Sequence, residues 1–293
     1  MKAAILGGWL ADRILGDPAR FHPVAGFGRV AYALERCLWR RSRVAGVAHV
    51  ALLVAGASAI GLSRKRVLRA AFVWASLGGR SLEAAAMKLG SELESGDIVR
   101  ARALAPTLVG RDPSELDAAE LSRATVESVA ENTSDAVVAP LLWAAIGGAP
   151  AVAAYRAINT LDAMVGHKDE RYREFGWAAA RLDDLANWPA ARLTALLAIG
   201  AAPLVGGSSR DAWRAAWRDG RHHPSPNAGR VEGAFAGALG IRLGGLNRYS
   251  HGVERRADLG AGPPPGIADI ARSVKLARIV SVGALLVAIR MAR

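Results

Sequence analysis

AVVAPLLWAAIGGAPAVAAY, Ala136–Tyr155, runs for twenty residues without a formal charge. A bilayer core takes roughly 20 apolar residues as helix, range about 17 to 25, so the stretch is long enough to sit in a membrane. Pro140, Gly147, Gly148 and Pro150 interrupt it, which predicts a broken helix that either crosses or turns back inside the protein. Glu131, Asn132 and Asp135 lead into it, and RAINTLDAMVGHK, Arg156–Lys168, follows as the densest polar cluster in the chain. Polarity at membrane depth is costly and tends to be functional, so chemistry is expected at this edge.

Working outward, Val44–Leu62 is also uncharged, and Leu193–Ser209 is nearly as long. Weaker segments are Val67–Gly79, interrupted by Arg69, and Leu276–Ile289, which contains Arg278 and precedes Arg290, both able to snorkel. The N-terminal AAILGGWLA stops at Asp12-Arg13 with no small-residue cleavage site, unlike a removable signal peptide. The expected fold is all-α: a polytopic integral membrane protein with about 4–5 apolar helices (44–62, 67–79, 136–155, 193–209, 276–289), some broken or re-entrant. Ser81–Leu93 and Asp117–Ala130 read as polar helical segments, and alternating valine-rich strands are absent. There is no internal repeat and no dividing linker, so residues 1–293 read as one membrane domain, multi-pass in the cytoplasmic membrane. Gly260–Gly266, GAGPPPG, is the clearest loop. Every long polar segment is arginine-rich, and the positive-inside rule therefore gives no orientation.

The net charge of +12 suits lipid headgroups and polyanionic substrates. Nucleic acid is disfavoured, because no basic helix interleaved with aromatics appears. The single cysteine, Cys37, excludes an intrachain disulfide framework and a cysteine-based zinc site.

Four polar clusters carry candidate chemistry. In GDPARFHPVAGFGR, Gly16–Arg29, two X-Pro steps force an extended or turned backbone, and Asp17, His22 and Arg29 are expected to be presented from a loop. In ESVAENTSDAVVAPLLW, Glu127, Glu131 and Asp135 fall at i, i+4 and i+8, a row that would hold Mg²⁺ through one or two carboxylates. The third cluster comprises Arg156, Asn159 and Asp162 on one helix and Asp183, Asp184 and Asn187 on another, with Arg171 and Arg192 nearby in sequence. Carboxylates for a cation and guanidinium or ammonium groups for an anion are what a metal–phosphate requires. Internal salt bridges are the structural alternative. The fourth, His222–Tyr249, begins with turn chemistry and enters a glycine- and alanine-rich helix, whose N-terminus would receive an anion or whose glycines serve close packing. Walker A, GxGxxG and HExxH sequences are missing.

GDPARFHPV, VGRDPSELD, ESVAENTSDAVVAPLLWAAIGG, YRAINTLDAMVGHKDERYREFGWAAARLDDLANW and HPSPNAGRVEGAFAGALGIRLGGLNRY, in this order over about residues 7–260, resemble the CobD/CbiB family of cobalamin biosynthesis. The resemblance implies a membrane enzyme that joins aminopropanol or its O-phosphate to the free propionate of (adenosyl)cobyric acid, using ATP and Mg²⁺. The implied partners are the corrinoid, the amine, membrane lipids and other enzymes of the pathway. Acyl activation needs metal ligands, cationic clamps and a base. Glu131, Asp135 and Asp184 are expected at the metal, joined by Asp162 and Asp183, which with Lys168 and His22 are also the expected catalytic groups. Arg156, Asn159, Arg171, Arg192, Asn132 and Asn227 are expected to bind the cofactor. His167 stands where the family pattern carries tyrosine, which argues against a titrating role there. A polytopic corrinoid or anion carrier, or an assembly scaffold, is the alternative class, since transporters also use broken apolar helices.

Overall fold

The computed structural model describes residues 1–17, 22–63, 65–110, 112–167, 169–249 and 252–293. Its elements in chain order are α1 (Lys2–Leu15), α2 (Pro23–Leu38), α3 (Arg43–Gly61), α4 (Arg66–Ser76), α5 (Gly79–Glu94), α6 (Ile98–Leu104), α7 (Ala118–Thr133), α8 (Ala139–Val165), α9 (Trp177–Ala201), α10 (Ser209–Arg214), α11 (Ala228–Leu239), β1 (Leu243–Tyr249), β2 (Gly252–Leu259) and α12 (Ile267–Met291). They group into two compact units: Met1–Gly78 with Asp135–Ala190 and Leu285–Arg293, and Gly79–Ser134 with Ala191–Ala284. The chain passes between them at Gly78–Gly79 between α4 and α5, at a π-helical turn, Ser134–Val138, between α7 and α8, inside α9 and inside α12. Three of these crossings lie within helical runs and the fourth is a single Gly-Gly pair, which is why no boundary is visible in the composition.

In unit 1, α3 lies along α8, and α1 and α2 pack with α4 and α8. Ala31, Val50, Leu53, Leu161, Val165, Phe175 and Ala179 form a continuous buried core. Two glycines let backbones approach: a Cβ at Gly46 would lie 1.9 Å from the Phe175 carbonyl oxygen, and one at Gly61 would lie 2.7 Å from that of Ala149. Small residues at helix crossings are the packing device that also works in lipid, where burying apolar surface adds little. The Ala136–Tyr155 stretch behaves as its prolines and glycines predict. Gly148 adopts φ 70 and ψ −158 inside α8, a conformation that costs glycine little and breaks the helix two residues before Pro150.

In unit 2, α7 starts with a capping box: Asp117 Oδ1 accepts from the Glu120 amide (2.8 Å) and Glu120 Oε2 from the Asp117 amide (3.0 Å). α11 is almost wholly buried, and Gly233 and Gly237 bring it against the chain that carries α10. The glycine-rich segment therefore serves close packing. At its N-terminus the amides of Asn227 and Ala228 donate to Ser225 Oγ (3.3 and 3.1 Å), which occupies donors an anion would have used.

Three expectations need correction. Among the described residues three helical runs are long and apolar enough to cross a membrane: Arg43–Gly61, Ala118–Val165 and Trp177–Val205. α4 has 11 residues, about 16 Å of helix against roughly 30 Å of hydrocarbon. α12 carries Asp269, Arg272, Lys275, Arg278 and Arg290, and Arg278 pairs with the buried Glu83 (2.7 Å) instead of snorkelling. Finally, the fold is not purely α. β1 and β2 pair antiparallel, with a register shift between Leu243 and Gly245 that leaves one extra residue on β2, opposite Gly244; Gly244 and Gly245 are both at positive φ. The hairpin is held to α7 by Glu127, whose Oε1 accepts from the Gly244 amide (2.8 Å), and by Arg123, which donates to the carbonyls of Gly244 and Leu246.

Candidate functional site

The richest polar network of unit 1 joins α8 to α9. Arg156 Nη1 donates to Asn159 Oδ1 (3.3 Å), three residues on along α8. Asn159 Nδ2 donates across to Asp183 Oδ1 (3.3 Å), and Asn187, one turn beyond Asp183 on α9, donates to its Oδ2 (2.9 Å). The Tyr155 hydroxyl lies 2.8 Å from Asn187 Oδ1 and 2.9 Å from the Asp135 carbonyl. Both are acceptors, so one phenolic proton serves two oxygens. Tyr155 and Asn187 are buried at 1% and 2% exposure, whereas Arg156, Asn159 and Asp183 are half-buried.

Arg156 also edges an apolar groove of about 480 Å³, lined among others by Phe27, Leu53, Ile60 and Phe72. Its Nε is buried with no hydrogen-bond partner among the described residues. A buried donor left unmade is costly and is satisfied by an acceptor from a ligand.

The remaining expected residues of unit 1 are scattered. Asp162 sits one turn beyond Asn159, its carboxylate folded against the helix end so closely that a Cβ at Gly166 would lie 1.9 Å from Oδ1. Asp184 is 3.8 Å from Arg181. Asp135 lies in the π-helical turn, so the i, i+8 spacing that aligned it with Glu127 does not hold. His22 is the N-cap of α2: its Nδ1 accepts from the Val24 amide (3.1 Å) and its Nε2 is 3.8 Å from Asp17. Arg171 pairs with the buried Glu35 (3.0 Å), which also accepts from the Tyr172 hydroxyl (2.9 Å), and its guanidinium stacks over Trp39. Burial, and then the bond to Glu35, push the Tyr172 phenol up; the Glu35 bond raises Arg171. Lys168 lies outside the described residues.

Unit 2 holds the other four. Arg192 donates to Asn227 Oδ1 (2.6 Å) and to the Pro226 carbonyl (3.2 Å). Glu131 and Asn132 open onto a polar cavity of about 190 Å³ with Glu127, Ser128, Glu232 and Arg256. Among the described residues no group of three or more His, Cys, Asp or Glu is arranged to hold a metal ion. Tyr155, Glu232 and Arg256 were missed from sequence. Glu232 had a readable signal, the lone carboxylate of a helix that is glycine- and alanine-rich apart from Arg230 and a few larger apolar residues. Arg256 had none, because its place depends on the unforeseen hairpin.

No solved structure matches the chain. The model of the CobD/Cbib protein family matches residues 5–277. A relative from Mycobacterium tuberculosis (strain ATCC 25618 / H37Rv), named cobalamin biosynthesis protein CobD, is 52% identical over 98% of this chain and 94% of its own length. Proteins of the same name from Geobacter metallireducens and Rhodobacter capsulatus are 47% and 42% identical, over 84% and 91% of this chain and 82% and 88% of theirs. Likeness at this level over nearly the whole length makes the chain a member of the CobD/CbiB family.

Proposed function

We propose that the chain is an integral membrane enzyme of cobalamin biosynthesis. In this reading it forms an amide between the free propionate of (adenosyl)cobyric acid and aminopropanol or its O-phosphate. The names of its relatives support the pathway. Three long apolar helical runs support the membrane. The observation that carries the site is the hydrogen-bonded line Arg156–Asn159–Asp183–Asn187–Tyr155 on two of those runs, half-buried at its Arg156 end and buried at Asn187 and Tyr155, a polar investment on apolar helices with no purely structural need for an arginine at its end.

The donor set fits ATP with Mg²⁺. Arg156 Nε is an orphaned buried donor of the kind a phosphate or carboxylate oxygen satisfies. Each oxygen of Asp183 accepts one amide N–H and retains lone-pair capacity, and Mg²⁺ takes one or two carboxylates while phosphate and water fill its other positions. Asp183 would therefore hold the cation and Arg156 the anion. ATP supplies the phosphoryl group that makes a propionate oxygen a leaving group; the amine displaces phosphate, and the products are amide, ADP, phosphate and a proton. Asn159 and Asn187 fix the Asp183 carboxylate from both sides, so the charge that meets the substrate is positioned before it arrives. Asp162, one turn beyond Asn159 on α8, is assigned the proton lost by nitrogen. Arg171 and His22 are not assigned here, since one is bound to Glu35 and the other caps a helix.

Rescue of a cobinamide-requiring strain by this gene, with mass analysis of the corrinoid formed, tests the reading. Growth with an amidated corrinoid supports it. Corrinoid retained by washed membranes without amidated product would favour a carrier.

A further inference from the structure

One charged hollow of unit 1 shares no lining residue with the groove beside Arg156. It has about 620 Å³ of open volume and is lined among others by Lys2, Arg66, Val67, Arg69 and Arg293. Gly7 and Gly8 of α1 face Ala70 and Val73 of α4, so the two helices run side by side with their N-terminal ends at the hollow. Neither end is closed by a capping side chain, and each adds the partial positive charge of a helix N-terminus.

The lining holds four cationic side chains and no carboxylate side chain. The Met1 main-chain nitrogen donates to the Arg293 main-chain oxygen (3.1 Å), so the main-chain groups here satisfy each other and the side chains set the charge. Among the described residues Lys2, Arg66 and Arg69 form no ion pair. Arg69 Nε donates to the Ser63 carbonyl (3.0 Å), which orients the guanidinium and leaves its Nη groups without a partner among the described residues. Arg64 lies outside the described residues, and its charge has the same sign. Like charges gathered around one hollow repel each other until an anion lies between them.

An apolar track leads away from these cations. Leu6, Leu10 and Ile14 recur every four residues along α1 and are exposed, Ile14 at 72%. The remaining charged residues of that helix, Asp12 and Arg13, are buried and half-buried. From Ala3 to Ile14 the helix rises about 16 Å, close to the roughly 15 Å of hydrocarbon in one leaflet. Val67, beside Arg66, is 79% exposed, and α3, a run long enough to cross a membrane, ends at Gly61, just before the basic residues. A free phosphate would meet the cations and leave the track in water, whereas an anionic phospholipid occupies both.

We infer that this hollow binds the headgroup of an anionic glycerophospholipid, with the phosphate at Lys2, Arg66 and Arg69 and an acyl chain along Leu6, Leu10 and Ile14. The inference rests on the membrane part of the function proposed above and not on its reaction.

Native mass spectrometry of the purified full-length protein in detergent, with phosphatidylglycerol or phosphatidylcholine added, provides the test. The wild type is expected to retain phosphatidylglycerol in preference, and Lys2→Gln and Arg66→Gln each to weaken that retention about fivefold, the worth of one cation at an anionic lipid surface. Both side chains are exposed, so the variants should keep the wild-type melting temperature. Arg36→Gln, at an exposed arginine of α2, is expected to change nothing. Glycerol 3-phosphate, which carries the charge without the chains, is expected not to compete. Equal retention of the two lipids, unchanged retention in the Lys2→Gln/Arg66→Gln double variant, an equal loss in Arg36→Gln or displacement by glycerol 3-phosphate would overturn the inference, the last by assigning the hollow to a free phosphate. Fractionation of the cells checks the membrane part separately: a chain found in the aqueous fraction sinks that reading, whereas a membrane-bound chain with no lipid preference sinks only this inference. Selective lipid retention by a protein that forms no amide would sustain the inference and sink the reaction.

Discussion

The two polar regions of the molecule solve opposite problems. In unit 1, Asp183 is held by two asparagines, one of which meets the Tyr155 hydroxyl, and the network ends in an arginine with an unused buried donor. In unit 2, a cavity of about 190 Å³ is lined among others by Glu127, Glu131, Glu232 and Arg256, and Arg256 Nη1 lies 3.4 Å from His223 Nε2. A network of mutual hydrogen bonds fixes a charge in place, whereas a polar cavity keeps open volume beside its charged groups.

The largest effect is expected from Asp183→Ala. It removes the central acceptor, leaves the side-chain amides of Asn159 and Asn187 unsatisfied, and is expected to lower turnover by about a hundredfold or more, the lower end for a catalytic group. Steady-state kinetics should show the loss in kcat; wild-type turnover by the folded variant would break the assignment of the working charge to Asp183. Gly46→Val comes next and acts on folding. Its side chain would strike the Phe175 backbone, and overpacking costs about 1–3 kcal/mol, here at the upper end because backbone cannot rotate away. Thermal or denaturant unfolding in detergent measures it.

Tyr155→Phe removes the proton shared by Asn187 and the Asp135 carbonyl and should cost about 1 kcal/mol, with turnover falling less than for Asp183→Ala. A wild-type melting temperature in this variant would show that the network is looser than its distances imply. The smallest effect is expected at His22. Asn replaces it as an N-cap, so His22→Asn should change stability by a few tenths of a kcal/mol and leave the pH profile of turnover intact. A lost acidic limb in that profile would restore His22 as a proton acceptor.

Much of the architecture was legible in the sequence because the membrane-length segments lack charge and the helix breakers are explicit. Gly148 and Pro150 located the break in α8, and the spacing of Asp183 and Asn187 located a true one-turn pair. Other features depended on tertiary structure. The strands at Leu243–Leu259 are poor in β-branched residues, and they are fastened by Glu127 and Arg123, more than a hundred positions upstream. Helical spacing placed Asp135 in line with Glu127, but a single π-helical turn shifts its phase. Arg171 and Arg192 matched a phosphate clamp by residue type alone, yet a buried glutamate holds the first and Asn227 the second. Residue type shows which chemistry is available; only the partners show where it is already used.

The most direct measurement is the mass of the corrinoid formed when purified protein is mixed with adenosylcobyric acid, aminopropanol phosphate, ATP and Mg²⁺, run beside Asp183→Ala. The wild type should yield the amidated corrinoid with release of ADP and phosphate, and the variant should yield almost none. Amidated product formed equally fast by the folded variant, or corrinoid bound but unchanged by the wild type, would contradict the assignment of this chain as an amide-forming enzyme acting through unit 1.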